Sequence, residues 1–338
     1  MTNNEAPHAD VRDFPPLTFG IYPGGVAGTF DGVTTGPTDD PLQINRALGQ
    51  LQAEGRALLV RCYRHYDGSS ASSTDHDNPV NAAQYVSNAR KLDLVLCFRD
   101  SGDDLTGWLS FVQENIRHGG SQLAKVQITE EPNLRDAPGS ADGGFPCVRR
   151  ALVQGVIAAK DEARRQGLSL QVGFNAVPSF NPNDDFWPGI AALGQEPFVD
   201  ALDYVGLDCY PDVFRAVAPD GARGDLRDTI GFLLEQFRCR NLAAGNIPVS
   251  VPIHITENGW PTGPRRTYER QAAVIETLVR TIHERRAEFN VTHYELFSLR
   301  DSDSSNPDLF HQFGLVRDDY TRKPAFETYR RLVAELSS

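Results

Sequence analysis

A single-domain (β/α)₈ barrel, an α/β fold of the TIM-barrel type with long βα loops, is the fold class this sequence predicts. Three observations carry it. Short apolar, β-branched runs recur eight times along the chain, helical patterns fall between them, and the longest polar loops all follow the runs. Near-continuous apolar runs are what strands buried on both faces of a helix-covered parallel sheet require. Eight such alternations close the sheet into a barrel. The rival is an open doubly wound sheet, but "GIYPGGVAG", at the end of the first run, has glycines without the GxGxxG spacing of a phosphate loop.

The runs are "LTFGIY" (17–22), "ALLVRCY" (57–63), "LDLVLCF" (92–98), "AKVQIT" (124–129), "LQVGFN" (170–175), "LDYVGLD" (202–208), "VPIHIT" (251–256) and "VTHYELF" (291–297). Residues 1–16 read as a flexible N-terminal segment and 17–338 as the barrel. Helices are expected over 40–54, 80–91, 105–118, 146–166, 185–195, 224–243, 267–288 and 323–336. The clearest is "ERQAAVIETLVRTIHERR", whose Ala273, Ile275, Leu278, Val279 and Ile282 share one side at the 3.6-residue period. The helix over 185–195 has the weakest pattern because Pro188 and Gly189 interrupt it. Long loops follow the second strand (64–79), the fourth (131–145), the fifth and sixth (176–184, 211–223) and the eighth (298–322). Their Gly, Pro, Ser and Asp content suits exposed turns. All lie at strand C-termini, the face on which barrel enzymes build their sites.

Composition narrows the partners. The 338 residues carry 33 Lys and Arg against 45 Asp and Glu, a net charge of −12. An acidic surface argues against nucleic acid and anionic membranes and is indifferent to sugars. No stretch approaches the 18 or so apolar residues of a membrane span. The opening "MTNNEAPHADVRDFPPLTFG" has neither the basic nor the apolar region of a signal peptide, so a cytoplasmic protein is expected, or a secreted one whose leader has been trimmed. The cysteines Cys62, Cys97, Cys147, Cys209 and Cys239 are odd in number and without metal-ligand spacing, which suits a reducing compartment. The eight histidines form neither HxH nor HExxH, so no metal and no cofactor are expected. His254 is expected to pack in the barrel wall. Asp301 and Asp303 either contact a ligand or sit in a solvated loop. Oligomeric state is not encoded.

The chemistry concentrates at two strand ends. The fourth run ends "VQITEEPNL", where Pro132, lacking an N–H, stops the strand after Glu130 and Glu131. The seventh ends "HITENGWPTG", presenting Glu257. In a barrel of this order the fourth and seventh strands face one another across the rim. Two facing carboxyls are the minimum apparatus for cleaving a glycosidic bond, one protonating the leaving oxygen and the other attacking the anomeric carbon or activating water. Either glutamate alone is equally a cap or a solvated turn residue; the pair is what points to chemistry.

These motifs resemble the retaining glycoside hydrolases of clan A, the large barrel clan that includes cellulases, mannanases, β-1,3-glucanases and β-xylosidases. The likeness runs from the first strand to the last helix and is specific for the clan, not for a family within it. There an Asn-Glu-Pro motif ends strand 4 and supplies the acid/base, and a Glu in a "TE-x-GWP" setting ends strand 7 as nucleophile. "EEP" and "TENGWP" then imply Glu131 as acid/base and Glu257 as nucleophile. "LDYVGLDCYPDVF" implies Tyr210 as the tyrosine supporting the nucleophile, and the second strand implies Arg61, with Arg64 in reserve. "FGLVRDDYTRKPAFETYRRL" resembles the clan's closing segment. Three positions depart from the pattern: Glu130 stands for the Asn that holds the sugar 2-hydroxyl, Asp208 for a sixth-strand His, and Phe297 for an eighth-strand Trp.

The expected function is therefore hydrolysis of a β-glycoside by double displacement, with a carbohydrate as partner and the two carboxyls about 5–5.5 Å apart. A catalytically inactive binding barrel and a transglycosylase are the alternatives. The supporting set is Glu130, Arg61, Tyr210, Trp260, Asp208, Asn175 and Phe297. Trp260 either stacks on a sugar face or packs beneath its turn. Tyr210 supports the nucleophile or closes the rim. Glu130 either meets the substrate or, if strand alternation persists, points the other way to a basic residue in the wall.

Overall fold

The computed structural model describes residues 14–68, 77–87, 89–214 and 225–337. Eight parallel strands close into a barrel in chain order: β1 Thr18–Ile21, β2 Leu58–Tyr66, β3 Arg90–Phe98, β4 Leu123–Ile128, β5 Gln171–Ala176, β6 Tyr204–Asp208, β7 Ile253–Asn258 and β8 Val291–Leu296. Closure is made by β1 against β8, with Phe19 opposite Tyr294 and Ile21 opposite Leu296. Around them run α1 Pro41–Leu51, α2 Thr106–Gly119, α3 Val148–Arg165, α4 Phe186–Ala201, α5 Leu226–Gln236, α6 Tyr268–Phe289 and α7 Pro324–Leu336. No helix among the described residues is long and apolar enough to cross a membrane. The expected domain boundary at residue 17 falls where Leu17 bridges to Ser337. Just before it, the Phe14 and Pro15 carbonyls accept from Arg286 of α6; residues 1–13 lie outside the described residues.

The apolar core is the shell between strands and helices. Val60, Leu94, Leu96, Val126, Ile128, Val172, Phe174, Val205, Leu207, Ile253 and Ile255 are all buried there against the helices. The interior of the barrel is different. Arg61, Asp93 and Lys125 are in register across β2, β3 and β4, Arg61 meets Asp93 at 2.7 Å, and Lys125 meets Asp93 at 3.6 Å and pairs closely with Glu295. His254 is stacked between Tyr204 and His293, with centroids 4.1 and 3.6 Å away. The strands are therefore not apolar on both faces as expected. Side chains alternate across a strand, and one polar residue in two still leaves a run looking hydrophobic.

Between β2 and β3 the expected helix over 80–91 is absent. A single 3₁₀ turn, Ala82–Tyr85, occupies the middle of it, and Ser87 and Arg90 exchange backbone hydrogen bonds of 3.0 and 3.3 Å, turning the chain into β3 two residues earlier than expected. The described residues thus hold seven α-helices, and Tyr85, 1% exposed, fills the gap in the outer layer. The weak pattern over 185–195 is, by contrast, a full helix. Pro188 sits in its first turn, where its missing N–H has no intrahelical partner to lose, and the only break is a kink at Gln195 (φ 49°).

Two devices close the C-terminal face of the barrel. Lys323, just before Pro324 at the start of α7, sends its ammonium back to Asp301 at 2.7 Å and to Thr262 at 2.9 Å. Asp301 is thus a buried anchor of the loop after β8 and neither a ligand contact nor a solvated residue. Gly259 follows β7 where the chain passes β8 so closely that a Cβ would lie 1.9 Å from the Phe297 carbonyl oxygen. Gly259→Ala should therefore cost about 1–3 kcal/mol, the usual penalty for overpacking. Urea unfolding reads this as a lower midpoint at constant slope; an unchanged midpoint would show that the turn can yield.

Candidate active site

Glu257 stands at the end of β7 because the sheet is irregular there. The register between β6 and β7 shifts at Leu207/Asp208, which sets Asp208 opposite Glu257, and the Glu257 carbonyl accepts from the Cys209 N–H at 3.1 Å. The carboxylate has two donors and one cationic neighbour. Tyr210 Oη donates to Oε2 at 2.7 Å, Tyr63 Oη donates to Oε1 in a short bond, and Arg61 Nε lies 3.5 Å from Oε1. Tyr63 is absent from the residues expected on sequence grounds. Its signal is its place two residues after Arg61 in a strand, which puts both on one face. Arg64, the reserve, faces the other way and pairs with Asp77 at 2.6 Å.

Beyond β4 the alternation breaks. Thr129 and Glu131 have φ of 66° and 41°, values rare for side-chain-bearing residues and costly for a β-branched one. The chain is held in that shape by Asp142, whose carboxylate accepts from the Glu130 N–H at 2.8 Å and the Phe98 N–H at 2.7 Å. Arg99 reaches the other oxygen at 2.8 Å. Consequently Glu130 and Glu131 both line the same cavity, of about 1140 Å³, together with Glu257, Asp208, Tyr210, Tyr63 and Phe297. Strand alternation does not separate the two glutamates.

Their surroundings differ. Glu130 is fully engaged: it accepts from Gln127 at 2.7 Å, Asn175 at 3.1 Å and Arg61 at 3.4 Å. The carboxyl of Glu131 has no hydrogen-bond partner among the described residues, although its backbone N–H donates to Asn175 Oδ1 at 2.8 Å. Asn175 is the hinge of the group, since its amide also donates to Asp208. Asp208 accepts in addition from Thr256 Oγ1 at 2.5 Å. Gly206 makes this possible, because a Cβ there would lie 2.4 Å from Thr256 Oγ1 and 2.8 Å from the Asn175 Cβ.

One guanidinium serves four carboxyls, and burial does the rest. Burial first, then the charges of Asp208 and Glu257, holds the Glu131 carboxyl well above the usual carboxylate range. Burial followed by Glu257 does the same to Glu130, and Asp208 is pushed up to about 8 by the same two causes. One oxygen each of Glu130, Asp208 and Glu257 lies within 4.8 Å of the others, a spacing that suits an oxygen-ligated cation. Such an ion would sit against the Arg61 guanidinium and displace the tyrosines from Glu257, so the donor set fits protons better than a metal.

Phe297 lies against Tyr22, rings stacked at 5.2 Å and 5°. Trp260 does not reach the cavity. Its ring is 2% exposed, its indole N–H lies 3.3 Å from Asp212, and Arg266 covers its face at 5.1 Å. Packing beneath the turn describes it, because the backbone after Gly259 folds the side chain outward.

No protein-family model and no curated protein sequence matches the chain. Solved structures match its fold. A family 39 glycoside hydrolase from the gut symbiont Bacteroides cellulosilyticus WH2 superposes over 96% of this chain at 15% identity and TM-score 0.61. A Ruminococcus gnavus β-glucuronidase does so over 94% at 12% identity and TM-score 0.60. The chain spans 64% and 49% of those two proteins' lengths. The Rhizomucor miehei β-1,3-glucanosyltransferase is nearer in size, with 91% of this chain covering 96% of it at 16% identity and TM-score 0.55. What is shared at such identities is the eight-stranded barrel that these glycoside hydrolases use.

The raised Asp208 has a consequence for stability. Its folded pKa of about 8 exceeds the unfolded value near 3.9, so the native state holds a proton that the unfolded chain releases. Stability then falls as pH rises through that window. Asp208→Asn copies the uncharged state of the protonated acid and keeps an acceptor for Asn175. Its melting temperature should gain on the wild type progressively from about pH 5 to pH 8. A gain that is absent, or equal at both ends, would mean that Asp208 carries no proton.

Proposed function

We propose that this protein hydrolyses a β-glycoside with retention of configuration, using Glu257 as nucleophile and Glu131 as acid/base. The observation that carries the reading is the contrast between the two carboxyls. Glu257 is held on both oxygens by the Tyr63 and Tyr210 hydroxyls beside the Arg61 charge, whereas the Glu131 carboxyl, buried in the same cavity and without a hydrogen-bond partner among the described residues, is pushed toward its neutral form. Hydrogen bonds from two O–H donors, with a guanidinium beside them, suit an acceptor-only carboxylate and orient it in the cavity. A neutral carboxyl with its proton free is what a leaving oxygen requires.

In the first step Glu257 forms a bond to the anomeric carbon while the bond to the leaving oxygen breaks, and that oxygen takes the Glu131 proton. Water then attacks the anomeric carbon, gives its proton to the now ionised Glu131, and the bond to Glu257 breaks. Arg61 and the two tyrosines orient Glu257, and Asn175 positions the Glu131 backbone. Glu130 and Asp208 bracket the position where a sugar 2-substituent would lie in the resembled clan. The fold shared with glycoside hydrolases and a glucanosyltransferase is compatible with the reaction and leaves the sugar open.

Glu257→Gln should lower kcat on nitrophenyl β-glycosides by about 10⁴-fold or more, because no covalent intermediate can form. Glu131→Ala should spare substrates with good leaving groups, lose those with poor ones, and recover when azide is added. Equal losses across leaving groups would remove Glu131 from the acid role, and an active Glu257→Gln enzyme would remove the mechanism.

Glu130 is tested by its pH dependence. The charge of Glu131 is among those that raise Glu130, and the coupling is mutual. A general acid works below its pKa, so activity is present at lower pH and lost as pH rises through it. Glu130→Asn should move that basic limb to lower pH and alter the ranking of 2-hydroxyl against 2-amino glycosides. An unchanged limb and ranking would make Glu130 purely structural.

A further inference from the structure

The rim of the cavity carries chemistry that glycoside cleavage does not use. Four phenylalanines among the described residues are exposed, namely Phe30 (52%), Phe180 (49%), Phe214 (50%) and Phe232 (57%). All four line this one cavity. They form two groups. Phe30, Phe214 and the half-buried Phe310 make a triangle with centroids 5.2–6.1 Å apart, and Phe180 stacks on Phe232 at 5.5 Å and 14°. The first group begins at the catalytic centre, because Phe214 packs edge-on against Tyr210 at 5.9 Å, and Tyr210 holds Glu257.

We infer that the natural substrate is a glycoside with an apolar aglycone, which this phenylalanine rim receives. The inference rests on the glycosidase reading and adds the class of leaving group. Exposed apolar side chains gathered around one cavity mark a binding surface, since scattered single ones are the norm elsewhere. A leaving group made of further sugars could lay its C–H faces on these rings, but its edge hydroxyls need hydrogen-bonding partners that phenyl groups do not offer. Sugar platforms of tryptophan are absent from this wall: Trp108, Trp187 and Trp260 are all fully buried, and none lines the cavity. The size agrees. At about 1140 Å³ the cavity exceeds the roughly 1,000 Å³ upper end of sites that enclose a drug-sized molecule. It holds a sugar ring and a substantial apolar body together.

The test uses alkyl β-glycosides of increasing chain length, from methyl to decyl, below their micelle concentrations, on the sugar selected by a nitrophenyl panel. The catalytic constant kcat/KM should rise about two- to fourfold per methylene over the first several carbons, the gain expected for burying each CH₂. A disaccharide of the same sugar should be cleaved more slowly than the octyl glycoside. Phe214→Ala and Phe232→Ala should flatten the chain-length slope, while Val249→Ala, exposed and outside the cavity, should keep it. Dissociation constants of the matching alkyl β-thioglycosides, glucosides if the panel selects no sugar, are measured by calorimetry and should show the same slope. They do not depend on turnover. If no glycoside is cleaved but this slope persists, the catalytic reading fails and the apolar site stands. Chain-length-independent constants in both measurements overturn the inference. If they coincide with a dimer that Phe214→Ala dissociates, the rim is an interface between copies of the chain instead.

Discussion

The Arg61 guanidinium is the interaction on which the rest of the site depends. It is 1% exposed and donates to Tyr63, Asp93, Gln127 and Glu130 while lying 3.5 Å from Glu257. Four acidic or polar partners on three other strands are thus referred to one planar cation rising from β2. Only a guanidinium can do this, because its five N–H groups form a fixed fork, whereas an ammonium is a single point of charge. Breaking a buried pair from one side typically costs about 3–5 kcal/mol, since the abandoned charge stays buried. Here three carboxylates would be abandoned together. Arg61 also joins two layers: the Asp93–Lys125–Glu295 network below it and the Glu130–Glu257 pair above.

One cation cannot neutralise four carboxyls, and the remainder is settled by protons. Glu130, Glu131 and Asp208 are all pushed toward the neutral form, with burial as the first cause in each. The two departures from the clan's pattern in this region turn out to be one structural change. Glu130 and Asp208 are the two ends of a carboxyl–amide–carboxyl chain through Asn175. A neutral amide and an imidazole at those positions would supply donors of their own. Two carboxyls supply donors only when protonated, so on the proposed function recognition of a sugar here depends on proton occupancy. The change leaves Glu257 as the carboxyl held by two tyrosine hydroxyls.

Much of this is legible in the amino-acid sequence. The eight strands come from runs whose outward residues are apolar, Glu131 and Glu257 come from strand ends with clear punctuation, and Tyr210 and Arg61 come from the resemblance to clan A. What cannot be read there depends on longer-range geometry. The helix expected over 80–91 yields to a tight Ser87–Arg90 turn and an early β3, because helix propensity in a short segment is outweighed by sheet pairing. Glu130 and Glu131 share a cavity only because Asp142, twelve residues beyond Glu130, bends the backbone through two positive φ values. The composition of that loop suggests simple solvent exposure, yet Asp142 is 0% exposed. Trp260 is a choice the sequence leaves open: its place beside the motif allows ligand contact or packing beneath the turn, and in the structure it is 2% exposed and lies outside the cavity lining.

The polar interior and the apolar rim are best understood together. Burial pushes the Glu131 carboxyl toward its neutral form, and the phenylalanines line the same cavity. An apolar group seated on that rim would dry the opening further. Each removal of water strengthens the burial that keeps the proton on Glu131 and the fields that act on the departing oxygen. Such a leaving group therefore improves the acid that releases it. Once the glycosidic bond is broken, the aglycone no longer has the sugar to hold it at the opening. Its departure admits water at the stage when Glu131 is ionised and ready to take a proton from it. On the proposed function, the order of events then follows from the placement of one aromatic rim above one crowded set of carboxyls.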